Sequence, residues 1–277
     1  MARIASLGIL LEQTGNDFLS ELYGKVIENV QKDALSIGMK NVDLSGDPES
    51  GTVEAKRFVN ATSANYGTAR AAGAGGKVKA RPVTVPINTD KEIVEEIEEK
   101  DIKLYGVDGL LERRAANHAQ RMVAELDRAF FTTAEAAATA VTIASGVTDI
   151  DEILETMIQA CETTNNGFVD GVDRSMMNLV LSPAYYGKVR NNLDKIEAAN
   201  VQSNVEEFVA WHGVKTKSCT RLPNGTNALL IVDGAVAQPV TSNGYVAEKI
   251  QLSEAFAVSL FYHYGTVAVM PDLIFKL

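Results

Sequence analysis

Cysteine is close to absent: Cys161 and Cys219 are the only two in 277 residues. Two thiols cannot build a disulfide framework, and neither stands at a metal-ligand spacing. Cys161 falls on the apolar side of a helical stretch, which favours a buried thiol acting as a small hydrophobe. Long apolar runs are missing as well. No stretch nears the roughly 20 residues that cross a bilayer. Residues 1–10 hold one basic residue, Arg3, and are too weak for a secretory signal. A soluble protein made in a cytoplasm is therefore expected, with no membrane partner. Positive charge is also in short supply, with 26 Lys and Arg against 36 Asp and Glu and a net charge of −10. Such a field repels nucleic acid and argues against a dedicated DNA-binding domain, which would show a basic face. A container whose inner wall tolerates DNA remains compatible with it.

Catalytic signatures are missing too. The chain has no P-loop, dinucleotide-binding glycine pattern, nucleophile elbow or His-Glu-x-x-His motif. Of its three histidines, His118 falls on the packed stripe of a helix and His263 sits between Tyr262 and Tyr264 in a strand. His212 follows Trp211, the one tryptophan; the pair could line a pocket, but packing is the better reading. No histidine has a nearby carboxylate or cysteine at ligand spacing. No catalytic, cofactor-binding or metal-binding residue is assigned, and no cofactor is expected.

What is present is ordinary globular material, 46% apolar and 22% charged, in a length that suits one large or two interleaved domains. The charge is segregated. Residues 51–81 carry Lys56, Arg57, Arg70, Lys77, Lys79 and Arg81 against Glu54, a net +5. Residues 90–101 carry Asp90, Glu92, Glu95, Glu96, Glu98, Glu99 and Asp101 against Lys91 and Lys100, a net −5. Equal and opposite blocks suit subunits that meet head to tail, each lending a basic arm to a neighbour's acidic surface. Two solvated faces that meet nothing are the plain alternative, and the charges alone leave both open.

The basic block has an unusual build. Segments 52–59 and 77–85 read as strands, and Pro82 and Pro86 confine the second to an edge or protruding ribbon. Between them Ala69, Ala71, Ala72, Gly73, Ala74, Gly75 and Gly76 make a small-residue tip. A two-stranded ribbon without a hydrophobic face is marginal alone and calls for a neighbouring molecule.

Elsewhere, Phe18, Leu22, Val26, Ile27 and Val30 predict an amphipathic helix over 16–37, with Gly38 as its cap. Residues 91–100 could be strand or short helix, and 101–105 alternate like a strand. Leu111, Ala115, His118, Met122, Leu126 and Ala129 predict a helix over 108–131 with Asp108 at its N-cap. Asp149 with Glu152 resembles a capping box opening a second helix. Asn178–Leu181 reads as a buried strand running into Ser182-Pro183, a helix start. Residues 228–232, 255–264 and 266–270 complete a β-rich end. Without regular βαβ alternation, the class is α+β.

In this order the features resemble the Hong Kong 97-type fold of tailed-bacteriophage major capsid proteins. Residues 51–76 look like that family's extended loop and 107–131 like its spine helix. The strand–Pro–helix unit of 178–190 and the segment 212–225 resemble its axial domain. The resemblance implies an N-terminal arm with helix (1–45), an extended β-hairpin loop (46–90), and a peripheral domain with spine helix (91–146). An axial domain (147–235) and a C-terminal return to the peripheral domain (236–277) follow. It implies hexamers and pentamers closing into an icosahedral head around double-stranded DNA, in a virion assembled in the bacterial host cytoplasm. Portal and scaffolding proteins would be further partners. Because the helix at 16–37 begins almost at once after Met1, a separate scaffolding protein is expected. The inter-subunit contacts are then expected from Lys56, Arg57, Arg70, Lys77, Lys79 and Arg81 on the loop, and from Glu92, Glu95, Glu96, Glu98 and Glu99 on the receiving surface. An encapsulin-like shell is the alternative, and a soluble enzyme using Trp211-His212 or the acidic run is the rival class.

Overall fold

The computed structural model describes residues 35–45, 51–63, 65–66, 78–98, 107–195, 210–242, 246–253 and 255–277. Its frame is one long helix that serves two sheets. Helix α1 spans Val107–Ala137, 31 residues, or roughly 46 Å at 1.5 Å per residue. Its middle buries Met122, Val123 and Leu126 against Leu260, Tyr262 and Tyr264 of a four-stranded sheet. One turn further on, Phe130, Phe131 and Ala134 enter the core of a six-stranded sheet. The rod thus couples two cores, which a spine requires. It runs past the expected end at residue 131 because Thr-Thr-Ala-Glu-Ala-Ala follows, a run including strong helix formers, with Ala134 fully buried. It also begins one residue earlier than expected, at Val107, which puts Asp108 inside the helix rather than at its cap.

The six-stranded sheet has the order β4-β14-β8-β5-β7-β6. Strands β5 (Met177–Leu181) and β8 (Ala228–Val232) are buried at every residue, so both faces are covered and the strands read as continuous apolar runs. Helix α2 (Ile150–Glu162) supplies Leu154, Met157, Ile158 and Cys161 to this core. Asp149 caps α2 by accepting from the Asp151 amide. Cys161 is the small hydrophobe expected: desolvation pushes its thiol up to about 12. Helix α3 (Pro183–Lys195) starts at Ser182-Pro183, with Ser182 Oγ accepting from Tyr185 N. Strand β5 pairs in parallel with β7 (Val214–Ser218), so α3 lies within one parallel crossover in an otherwise irregular α+β arrangement. Strand β14 (Ile274–Lys276) pairs with β8 and with β4 (Thr139–Ala140). The C-terminus therefore crosses the boundary drawn at residue 235 and joins the sheet of the middle segment.

In the four-stranded sheet, β12 (Phe256–Tyr264) is central. Strand β3 (Thr89–Ile97) runs along its whole length on one side, and β10 (Val240–Ser242) and β11 (Val246–Lys249) share the other. The acidic run left open as strand or helix is therefore a strand. A third layer joins β9 (Val236–Ala237) to β13 (Val267–Ala268). Of the helix expected over 16–37, Leu35–Gly38 is a 3₁₀ turn; the rest lies outside the described residues, as does the strand expected at 101–105.

Candidate assembly interface

The ribbon foreseen over 52–85 is present. Strands β1 (Thr52–Phe58) and β2 (Ala80–Pro86) pair antiparallel from Thr52↔Pro86 to Phe58↔Ala80, each with one edge outside that pair, so Pro82 and Pro86 interrupt no central ladder. One expectation needs correcting: the ribbon does carry an apolar face. Val85 is fully buried, and Val53 and Val83 pack beside it against Ala237 and Val269. Gly265 lets this root lie close, because a Cβ there would sit 1.9 Å from the Pro86 carbonyl oxygen. Only the root is anchored so. Toward the tip, Phe58 is 57% exposed, Val78 82% and Tyr66 93%, an apolar display that a solitary chain gains nothing from.

Of the basic residues expected on the arm, Arg57 is engaged at home. Its guanidinium forms a two-pronged ion pair with Asp272, 2.5 and 2.9 Å, and lies 4.5 Å from the Phe168 ring centroid. Asn166 Nδ2 donates to the same carboxylate, and Asn60 N donates to Gly167 O. Desolvation raises the Asp272 carboxyl, but the hydrogen bonds from Arg57 and Asn166 prevail and hold it low. Lys56, Lys79 and Arg81 make no ion pair among the described residues and face solvent. Arg70 and Lys77 lie outside the described residues.

The five acids do not share a surface. Strand alternation sends Glu92 and Glu96 outward, both exposed, and Glu98 is exposed just beyond the strand end. Glu95 points the other way, toward α1, where it pairs with Arg114 and meets His118. Glu99 lies outside the described residues. His118 Nε2 is 3.0 Å from Glu95 Oε2 but out of line for a hydrogen bond, so neither ring nitrogen has such a partner. Burial, then the Arg114 charge, push the imidazole below its ordinary value and keep it neutral. The same inner face holds Glu125, which accepts from Tyr262 and Tyr264 and pairs with Lys91. Burial raises Glu125; those hydrogen bonds outweigh it and keep the carboxylate ionised.

The rival site around Trp211 is a clamp. His212 and Gly213 both have positive φ, 49° and 84°, making a two-residue turn between β6 (Ala210–Trp211) and β7 of the kind hairpins favour. His212 stacks on Trp211 at 3.7 Å and meets Glu155 Oε2 at 2.7 Å through Nδ1. Arg174 bridges Glu155 and Glu162 at 2.7 and 2.9 Å and also donates to His212 O. Arg174 above all pulls the Glu155 carboxyl down to about 2. A carboxylate held so acidic is a poor general base, and no hydroxyl or thiol adjoins it. The histidine–carboxylate contact was missed in the sequence because its partners lie 57 residues apart.

Comparison with known proteins fits this geometry. No protein-family model matches the chain, and no curated protein sequence does. Solved structures do. A structure of Mycobacterium phage Che8 matches with a TM-score of 0.62 at 16% identity, over 82% of this chain and 84% of that one. The capsid structure of cyanophage P-SCSP1u matches with a TM-score of 0.64 at 12% identity, over 84% and 85%. A virus-like particle from Pyrococcus furiosus matches with a TM-score of 0.59 at 10% identity, over 93% and 97%. The chain has the fold of these shell-forming proteins, with the spine helix, the ribbon and both sheets in one order.

Proposed function

We propose that this chain is the major capsid protein of a tailed bacteriophage, a structural subunit and not an enzyme. Its copies would close as hexamers and pentamers into an icosahedral head around double-stranded DNA. The observation that carries this is the ribbon. Its root is fixed to the subunit by Val85, Gly265 and Arg57, while its outer part shows Phe58, Tyr66, Val78 and unpaired cations to solvent. Such a half-anchored element reaches low energy on a second copy. Lys56, Lys79 and Arg81, with Arg70 and Lys77, would meet the outward acids Glu92, Glu96 and Glu98, with Glu99, of a neighbour. Arg57 and Glu95 leave that set, being engaged within the chain. The net charge of −10 favours non-specific tolerance of packaged DNA over specific readout. Portal and scaffolding proteins are the further partners, and assembly belongs in the bacterial cytoplasm before the subunit resides in the virion.

Negative-stain electron microscopy of the expressed chain tests this: hollow uniform particles or capsomers are expected, and discrete small oligomers under all conditions would overturn it. The likeness to a virus-like particle over 93% of the chain favours one second reading, a shell that encloses protein cargo. Nuclease-treated particles from the native source distinguish them, since protected DNA marks the phage head and a co-purifying enzyme marks the cargo shell.

A further inference from the structure

An open cleft of about 540 Å³ lies between the segments 162–176, 232–233 and 270–273. Its floor is apolar, from Val232, Met270, Leu273 and Met176, and Met176 is left 48% exposed there. Its rim is acidic, with Asp170, Asp173 and Asp233. Asp233 is met by Lys215, whereas Asp173 is exposed and has no ion pair among the described residues. An apolar floor under an acidic rim fits an apolar segment that carries a cation.

The chain contains such a segment. Residues 1–11 hold Met1, Ile4, Leu7, Ile9, Leu10 and Leu11, and their one charged side chain is Arg3. The described chain begins at Leu35 and is at once fastened beside the cleft. Met39 O accepts from Gly234 N at 2.9 Å, and Asn41 Nδ2 donates to Gly234 O at 3.2 Å. Gly234 follows Asp233 of the rim and faces Met270 of the floor. Residues 12–34 could reach up to roughly 75 Å at full extension, so residues 1–11 have ample tether to return. A tether of this kind gives its end an effective concentration that a free segment lacks.

We infer that this cleft is the seat of residues 1–11 of the same chain, with Arg3 at the Asp173 rim and the leucines over Met176. The inference does not rest on shell assembly, and microscopy of particles reads that function separately. The test is disulfide trapping in the full chain carrying Leu7→Cys and Met176→Cys. Both native thiols are buried, so they do not compete. Mild oxidation is expected to give a disulfide within one chain, seen as a faster band on a non-reducing gel. The pair Leu7→Cys with Leu252→Cys, the latter at a fully exposed turn, should give none. Adding Arg3→Glu should slow trapping about two- to fivefold, the scale of one exposed ion pair. If Met176→Cys disturbs folding, Asp173→Cys replaces it. Absence of the bond, or equal trapping at position 252, overturns the inference. A bond between two chains overturns the same-chain assignment, and trapping by Val78→Cys instead would give the cleft to the ribbon.

Discussion

Arg57 and Asp272 stand 215 positions apart in the chain and meet through two hydrogen bonds of 2.5 and 2.9 Å. The pair ties an outreaching ribbon to the turn that leads into the last strand. Arg57 is also covered by Phe168, so its charge is partly withdrawn from water and its partner matters more than at a free surface. Arg57→Ala should lower stability by about 1–3 kcal/mol, the range for hydrogen bonds to charged groups, as read by denaturant unfolding. Limited proteolysis should then cut between residues 59 and 79 sooner than in the parent. Unchanged cleavage would mean that the ribbon root is held by Val85 alone.

The cations beyond that clamp lead to a different outcome. Lys79 and Arg81 are exposed, and with Lys77 they form the basic edge of the returning strand. Reversing all three charges should leave far-ultraviolet dichroism and the unfolding midpoint within experimental scatter, because surface charges contribute little to a monomer. Assembly should fail or require raised salt, since screening weakens the repulsion then created at an acidic neighbour. Normal particles from this variant at physiological salt, counted by electron microscopy, would refute the arm-to-acid contact.

What could be read in the sequence was whatever depends on near neighbours. The caps at Asp149 and at Ser182-Pro183 are local devices and were legible, as was the ribbon from its prolines and alternating cations. The helix stripe of His118, Met122 and Leu126 followed from its period alone. Relationships across the chain were not legible, because nothing at Arg57 points to Asp272, nor at His212 to Glu155. The grouping of five acids as one surface overlooked a signal that was there. Ile93, Glu95 and Ile97 share strand parity, so Glu95 had to face the helix while Glu92 and Glu96 faced out. The length of α1 was underestimated because Ala-rich continuation carries propensity without a large apolar residue to mark it.

Gly265 makes a sharper stability test. A methyl group there would fall 1.9 Å from Pro86 O and 2.8 Å from Pro86 C, and backbone atoms cannot swing aside as a side-chain end can. Gly265→Ala should therefore displace the ribbon root from β12 and cost about 3 kcal/mol or more, within the range of overpacking. Differential scanning calorimetry reads the loss. If Val85 then becomes accessible, a Val85→Cys probe should be labelled in the Gly265→Ala background and remain protected in the parent.

The Glu155 clamp gives a dependence on pH whose sign can be worked out. Folding lowers this carboxyl from an ordinary value of 4.5 to about 2, chiefly through Arg174. A depressed acid contributes stability that is present above pH 4.5 and is lost as pH falls toward 2. Both side chains are about a quarter to a third exposed, so solvent screening holds the contribution near 1 kcal/mol. Arg174→Met should then destabilise the chain by about that much at pH 7, with the difference from the parent shrinking as the medium is acidified to pH 2.5. Urea unfolding at pH 7, 4 and 2.5 measures it. A difference that stays constant across the three would show that Arg174 acts by packing against the turn at His212 and Gly213 rather than by holding Glu155 ionised.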